Sequence, residues 1–117
     1  MKPFLDELKA ILECDIVDVN TDKINYQNVV LYQLNNIVKQ NTISNTKNQY
    51  NVFINLYYVT KATDKNHSAN SFKLLNKLER SCAKAIQKMT CSRLVIVNAS
   101  EYLATQYDLC FTSVDFK

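Results

Sequence analysis

The chain predicts an α+β domain: an antiparallel sheet with a long β-hairpin, two helices packed on one face, in the order α-β-β-β-α-β-β. Three observations carry that prediction. Residues 50–59 put Tyr50, Val52, Ile54, Leu56 and Tyr58 on one face and Asn51, Phe53, Asn55, Tyr57 and Val59 on the other. A period of two in β-branched and aromatic residues suits a strand packed on one side and partly wet on the other. A second strand-like run, residues 29–34, precedes it across an almost wholly polar break at 39–49, which reads as a hairpin loop. Third, residues 71–89 follow a helical wheel. Phe72, Leu75, Leu78, Cys82, Ala85, Ile86 and Met89 make one face, and Lys73, Lys77, Arg80, Lys84 and Lys88 the opposite one.

The remaining elements follow in order. Residues 3–14 read as a helix: Pro3 suits a first turn, and Phe4, Leu5, Leu8, Ile11 and Leu12 form an apolar stripe. Asp6 and Glu7 near its start complement the helix dipole. Ile16, Val17 and Val19 suggest a short strand before a polar turn at 20–23. Residues 60–70 are a polar connection, with Ser68 or Asn70 available to cap the helix that follows. A compact strand at 93–98, a link at 99–106 and a last alternating strand at 107–116 complete the chain.

The length of 117 residues suits a single domain spanning 1–117, able to bury roughly two-thirds of its unfolded surface. Glycine is absent. P-loops, dinucleotide fingerprints and glycine-flanked nucleophile elbows need backbone that only glycine allows, so those functions are excluded. Turns must then rely on asparagine, which tolerates positive φ best among the rest. Cys14, Cys82, Cys91 and Cys110 form no C-x-x-C pair, which speaks against a zinc site. Cys82 and Cys110 fall on apolar faces, and Cys91, near Lys88 and Arg93, is the best placed to form a thiolate. The one histidine, His67, falls in the polar connection, so a nucleophile–histidine pair has little to stand on. The expectation is a non-enzyme with no catalytic, cofactor-binding or metal-binding residues. No apolar run is long enough to cross a bilayer. The N-terminal stretch carries acids where a signal peptide is apolar, which suits a cytoplasmic protein.

Charge is uneven. Residues 1–22 hold two lysines against six acids, residues 23–93 eleven basic residues against two acids, and residues 94–117 one lysine against three acids. Such polarity suits copies that pack acidic against basic surface. The basic face of Lys73, Lys77, Arg80, Lys84 and Lys88 could meet phosphates or an acidic protein, or simply be the solvated side of an amphipathic helix. Four of the five are lysines and no aromatic interleaves them, so any nucleic-acid binding is expected to be non-specific. The tyrosines, among them Tyr50, Tyr57, Tyr58, Tyr102 and Tyr107, read either as an interface patch or as sheet residues with wet hydroxyls.

The element order resembles the tail-terminator, or tail-completion, proteins of long-tailed bacteriophages. The resemblance lies in the amphipathic N-terminal helix ending near Glu13 and in the strand Asn28-Val29-Val30-Leu31-Tyr32. It continues through the polar hairpin loop, the apolar-aromatic beat from Tyr50 to Tyr57, the long helix, and two closing strands ending at Phe116. It covers nearly the whole chain. The proline common before the first hairpin strand in that family is Asn28 here. The resemblance implies a virion structural protein without cofactors. Copies would form a six-fold ring that caps the tail tube, ends its polymerisation and offers a surface to head-completion proteins. It would assemble in the bacterial host cytoplasm and end in the virion tail. The hairpin tip, Asn41, Thr42, Ile43, Ser44, Asn45, Thr46, Lys47, Asn48 and Gln49, is then the candidate assembly surface. The alternatives are another head–tail connector or a small nucleic-acid-binding module using the basic helix face.

Overall fold

The computed structural model describes residues 2–21, 24, 26, 28–39, 47–80 and 85–116. Their order is α1 (Lys2–Leu12), β1 (Ile16–Asp18), β2 (Val29–Lys39), β3 (Lys47–Lys61), α2 (His67–Glu79), β4 (Ala85–Val97) and β5 (Ser100–Phe116). This is the predicted α+β class in the predicted order. The five strands form one sheet in the order β1-β2-β3-β5-β4. All neighbours are antiparallel except β1 and β2, which pair in parallel as Ile16–Val30, Val17–Leu31 and Asp18–Tyr32. The sheet is therefore mixed at one edge. A parallel neighbour needs a crossover, and Val19, Ile24 and Tyr26, between β1 and β2 in the chain, lie against the second face of the sheet.

The alternation of β3 sorts the two cores. On the first face Val52, Ile54, Leu56 and Tyr58 meet Val30 of β2, Tyr107 and Leu109 of β5, and Leu8, Leu12 and Leu78 from the two helices. On the second face Leu31, Val59 and Ala104 are buried beneath Val19, Ile24 and Tyr26 of the crossover. The Tyr26 and Tyr102 rings lie 5.3 Å apart there. Long strands stretch the molecule. β5 has 17 residues, roughly 55 Å at about 3.3 Å per residue, and the longest dimension is 53 Å. The radius of gyration is 15.6 Å, against about 13 Å for an isodiametric domain of this length.

The second helix differs most from expectation. It starts at His67 and stops at Glu79, and residues 85–89, read as its last turns, belong to β4. Ala85, Ile86 and Met89 fit a 3.6 period as well as they fit a strand. The long β5 settles the ambiguity by offering Cys110, Leu109 and Tyr107 as ladder partners. The buried side of α2 is also rotated from the expected one. His67, Ser71 and Leu78 face the core with Leu74 and Leu75 beside them, while Phe72 is exposed.

The strands are longer than predicted. β2 continues to Lys39 through a bulge between Leu34 and Asn36. β5 begins at Ser100, so the expected link at 99–106 is strand, and the β4–β5 connection is the pair Asn98-Ala99. Both have positive φ, 50° and 64°, as a two-residue type I′ hairpin requires. Asparagine takes that role at Asn98 and also at Asn28 (φ 57°), as the missing glycine demands. Ala99 and Glu13 (φ 58°) adopt the same conformation without asparagine's tolerance. Glu13 ends α1, where a left-handed residue commonly terminates a helix.

Leu78 and Leu56 are fully enclosed, so Leu78→Ala and Leu56→Ala should each cost about 2–5 kcal/mol in chemical denaturation. Lys77→Ala removes a surface ion pair to Glu13 and a long 3.4 Å hydrogen bond to Leu12 O and should cost under about 0.5 kcal/mol. Equal losses at Leu78 and Lys77 would mean that α2 faces another way. Ala99→Gly relieves a left-handed alanine that costs about 1–2 kcal/mol, partly offset by glycine's looser unfolded chain. The net expectation is a higher thermal midpoint, and a lower one would refute the strain.

Candidate functional site

His67 is not in a loop. It opens α2, is 1% exposed, and lies under the sheet among polar groups. Its Nδ1 is 2.9 Å from Thr60 Oγ1 on β3, and its Nε2 is 2.9 Å from Thr105 Oγ1 on β5. Ser71, one turn along α2, lies 2.7 Å from the same Thr105 hydroxyl. Tyr58 stacks on the imidazole at 5.2 Å, and the Tyr107 hydroxyl donates to Ser71 O at 2.6 Å. The ladder explains the convergence. Thr105 is the cross-strand partner of Tyr58, and Thr60 lies two residues along β3 on the same face.

The hydrogens can be assigned. Ser71 Oγ donates to His67 O at 2.8 Å, so it can only accept from Thr105. Thr105, having donated, accepts from His67 Nε2–H. The neutral ring then needs a donor at Nδ1, and Thr60 supplies it in preference to its longer 3.2 Å approach to Lys61 O. The tautomer is thus Nε2–H, inferred from the network. Burial lowers the His67 pKa from its ordinary value, opposed by the nearby Asp64 carboxylate. A serine, a threonine and a histidine so enclosed are not a nucleophile and its base, because both ring nitrogens are engaged and none of the three side chains reaches solvent. Among the described residues no buried side-chain nitrogen or oxygen lacks a partner. The network staples α2 to the two central strands.

Next to it, a groove of about 220 Å³ runs between the end of α1, α2 and the start of β2, lined by Cys14, Asn28, Tyr58, Asn70, Lys73 and Lys77 among others. Its polar groups already serve one another. The Tyr58 hydroxyl donates to Asn28 Oδ1 at 2.8 Å and accepts from Asn70 Nδ2 at 3.2 Å. Lys77 Nζ pairs with Glu13 at 3.5 Å and donates to Leu12 O at 3.4 Å, capping the end of α1. Burial raises the Cys14 thiol pKa despite the lowering effect of Lys77, so this sulfur is held as a thiol, a poor nucleophile.

The candidate residues read from sequence separate in space. Lys73, Lys77 and Arg80 lie on or at the end of α2, Lys84 falls outside the described residues, and Lys88 is on β4. The five cannot form one helical stripe, because Lys88 belongs to β4. Of the predicted hairpin tip, Asn41, Thr42, Ile43, Ser44, Asn45 and Thr46 lie outside the described residues. Lys47, Asn48 and Gln49 are not loop but β3, paired with Phe116, Asp115 and Val114, because β5 is long enough to reach them.

The surface that stands out is the pair of sheet edges. Among the described residues β1 pairs with β2 only at Val30, Leu31 and Tyr32, and residues 33–38 beyond it are all exposed. They include Leu34, Ile37 and Val38, of which Ile37 is 51% exposed. At the opposite side β4 is the outer strand and displays Leu94 and Ile96, 56% and 66% exposed. Sequence reasoning missed both, since exposure at an edge depends on which strands are outermost. Among the described residues no helix is long and apolar enough to cross a membrane, and no group of three or more His, Cys, Asp or Glu side chains is placed to hold a metal ion. Comparison with protein-family models and with curated proteins returned no match.

The staple makes stability depend on pH. A histidine whose folded pKa is lowered binds its proton more readily when unfolded. Its contribution is therefore whole above about pH 6.5 and is lost as pH falls below that toward the folded pKa. The slope from this residue is at most about 1.4 kcal/mol per pH unit. Urea midpoints between pH 7.5 and 5.5 should fall more steeply in the parent than in His67→Gln, from which the carboxylate contributions cancel. Parallel slopes would show that His67 is not held neutral.

Proposed function

We propose that this chain is a virion structural protein of the tail-terminator kind, in which copies close into a ring on the tail tube, end its growth and present a surface to head-completion proteins. The observation that carries the reading is the single elongated sheet with an apolar, unpaired edge on each side. A protein that works as a monomer blunts such edges with charge, proline or a covering element, because open edges recruit other strands. Here residues 33–38 and 94–97 carry neither charge nor proline, and no described strand pairs outside them, which favours assembly through the sheet. Catalysis draws no support from the same geometry: the buried histidine is saturated and the thiol beside the groove is protonated. The sequence resemblance and the segregation of acidic from basic residues point the same way.

On this reading no cofactor is needed, assembly takes place in the bacterial host cytoplasm, and the mature location is the tail. The three basic residues left on α2 support at most non-specific contact with nucleic acid, such as DNA near the head–tail junction. Native mass spectrometry over a concentration series, with and without purified tail tubes, tests the proposal. The expected result is a closed oligomer at high concentration or on tube ends, with tubes of fixed length when the protein is present. A chain that stays monomeric and leaves tube length unchanged would overturn it. So would nanomolar, sequence-selective DNA binding at about 0.15 M salt, which would favour the nucleic-acid module instead.

A further inference from the structure

We infer that the groove between α1, α2 and the start of β2 is a binding site for a carboxylate on a short aliphatic stem, carried by a free organic acid or by a glutamate side chain. The inference stands apart from the ring reading and survives its failure. The groove holds about 220 Å³, below the roughly 300 Å³ at which sites for drug-sized ligands begin. It suits a group of a few heavy atoms. Of the nine residues that line it, two are lysines and none is acidic. Glu13 lies outside the lining, 77% exposed and drawn to Lys77 at 3.5 Å. Asp15 and Asp64 act on Cys14 and Tyr58 as charges from outside it. The Cys14 thiol stays protonated and adds no negative charge.

Helix α2 sets donors in a row. Asn70, Lys73, Leu74 and Lys77 all line the groove and stand at i, i+3, i+4 and i+7, one stripe of a helix. The other amide is Asn28, in the left-handed conformation at φ 57°. Tyr58 joins the two: its hydroxyl donates to Asn28 Oδ1 at 2.8 Å and accepts from Asn70 Nδ2 at 3.2 Å. That pattern decides what is left over. With its oxygen engaged, Asn28 keeps both hydrogens of Nδ2, and Asn70 keeps one; neither has another partner among the described residues. Lys73 Nζ has none among them either, whereas Lys77 is engaged by Glu13 and Leu12 O. One unpaired ammonium and two amide donors on one small groove are what an acceptor-only carboxylate requires.

Charge and shape narrow the ligand. A single unpaired ammonium balances one negative charge. A phosphate dianion would be half compensated and would meet the Glu13 carboxylate beside Lys77. Leu12, Val30 and Leu74 line the same groove, and they bury the methylene groups that adjoin a carboxylate, a gain that a bare inorganic anion lacks.

Titration with butyrate, followed by amide chemical shifts at constant ionic strength, tests the site. The expected result is saturable shifts at the side-chain amides of Asn28 and Asn70 and at the backbone of residues 73–77. The Kd should be on the order of millimolar, as suits a ligand of so few atoms. Lys73→Met keeps the stem and removes the charge. Asn70→Asp keeps a partner for the Tyr58 hydroxyl and turns a donor into a negative charge. Each should weaken binding by about tenfold or more. Lys88→Met, on β4, removes as much net charge as Lys73→Met and should leave binding unchanged. Lys73 and Lys88 are both exposed, so thermal midpoints should match the parent. N-acetylglutamate amide binding as tightly as butyrate assigns the ligand to a partner protein's side chain; binding about tenfold weaker assigns it to a free acid. Shifts that do not saturate, that phosphate reproduces at the same concentration, or that centre elsewhere overturn the site. Equal losses in Lys73→Met and Lys88→Met overturn it too. None of these readouts depends on the oligomeric state, so the site and the ring stand or fall separately.

Discussion

All fifteen residues of β3 pair with β5 without a register shift, from Lys47–Phe116 to Lys61–Tyr102. The other elements take their places from this ladder. Because side chains alternate, one register decides together which residues of both strands face the helices. Ile54 lies beside Leu109, Leu56 beside Tyr107 and Tyr58 beside Thr105, and α1 and α2 cover that row. A slip by one residue would present Asn55 and Asp108 to the helices. The ladder's length also explains the elongated shape, since no helix here is long enough to cover strands of 15 and 17 residues.

Polar atoms make one part of the joint between α2 and the sheet. Thr60, His67, Ser71 and Thr105 are all at most 1% exposed, and each finds a partner among the others. A hydrogen bond of this kind contributes only about 1 kcal/mol net, whereas an orphaned buried partner costs about 1–3. The network therefore specifies how α2 sits more than it adds stability. Protonation of His67 need not break it. Nδ1–H could donate to Thr60, whose hydroxyl would turn to Lys61 O. The cost of the proton is then the desolvated charge, not a lost hydrogen bond.

A sheet this long and thin cannot hide its borders. β1 is three residues long and shields three of the eleven in β2, and α2 ends before it could mask the far side. What remains exposed among the described residues is apolar on both sides, with Leu34, Ile37 and Val38 on β2 and Leu94 and Ile96 on β4.

The amino-acid order by itself determined the local patterns: the alternation of residues 50–59, the amphipathic first helix, the hairpin and the α+β class. These depend on the period of neighbouring residues, which is local information. The absence of glycine was also legible, and its consequence appears at Asn28 and Asn98, both left-handed. Tertiary structure decided where periods conflict. Residues 85–89 suit helix or strand, and the reach of β5 made them strand. His67 is surrounded in sequence by polar residues, a pattern that suits a loop. It is core because Thr60 and Thr105, distant in sequence, converge on it across the β3–β5 ladder. The predicted basic stripe broke apart at the end of α2, and the open edges emerged only once the strand order was set. Burial of a polar residue and exposure of an apolar one both depend on which strands lie side by side, and that is fixed by contacts between residues far apart in the chain.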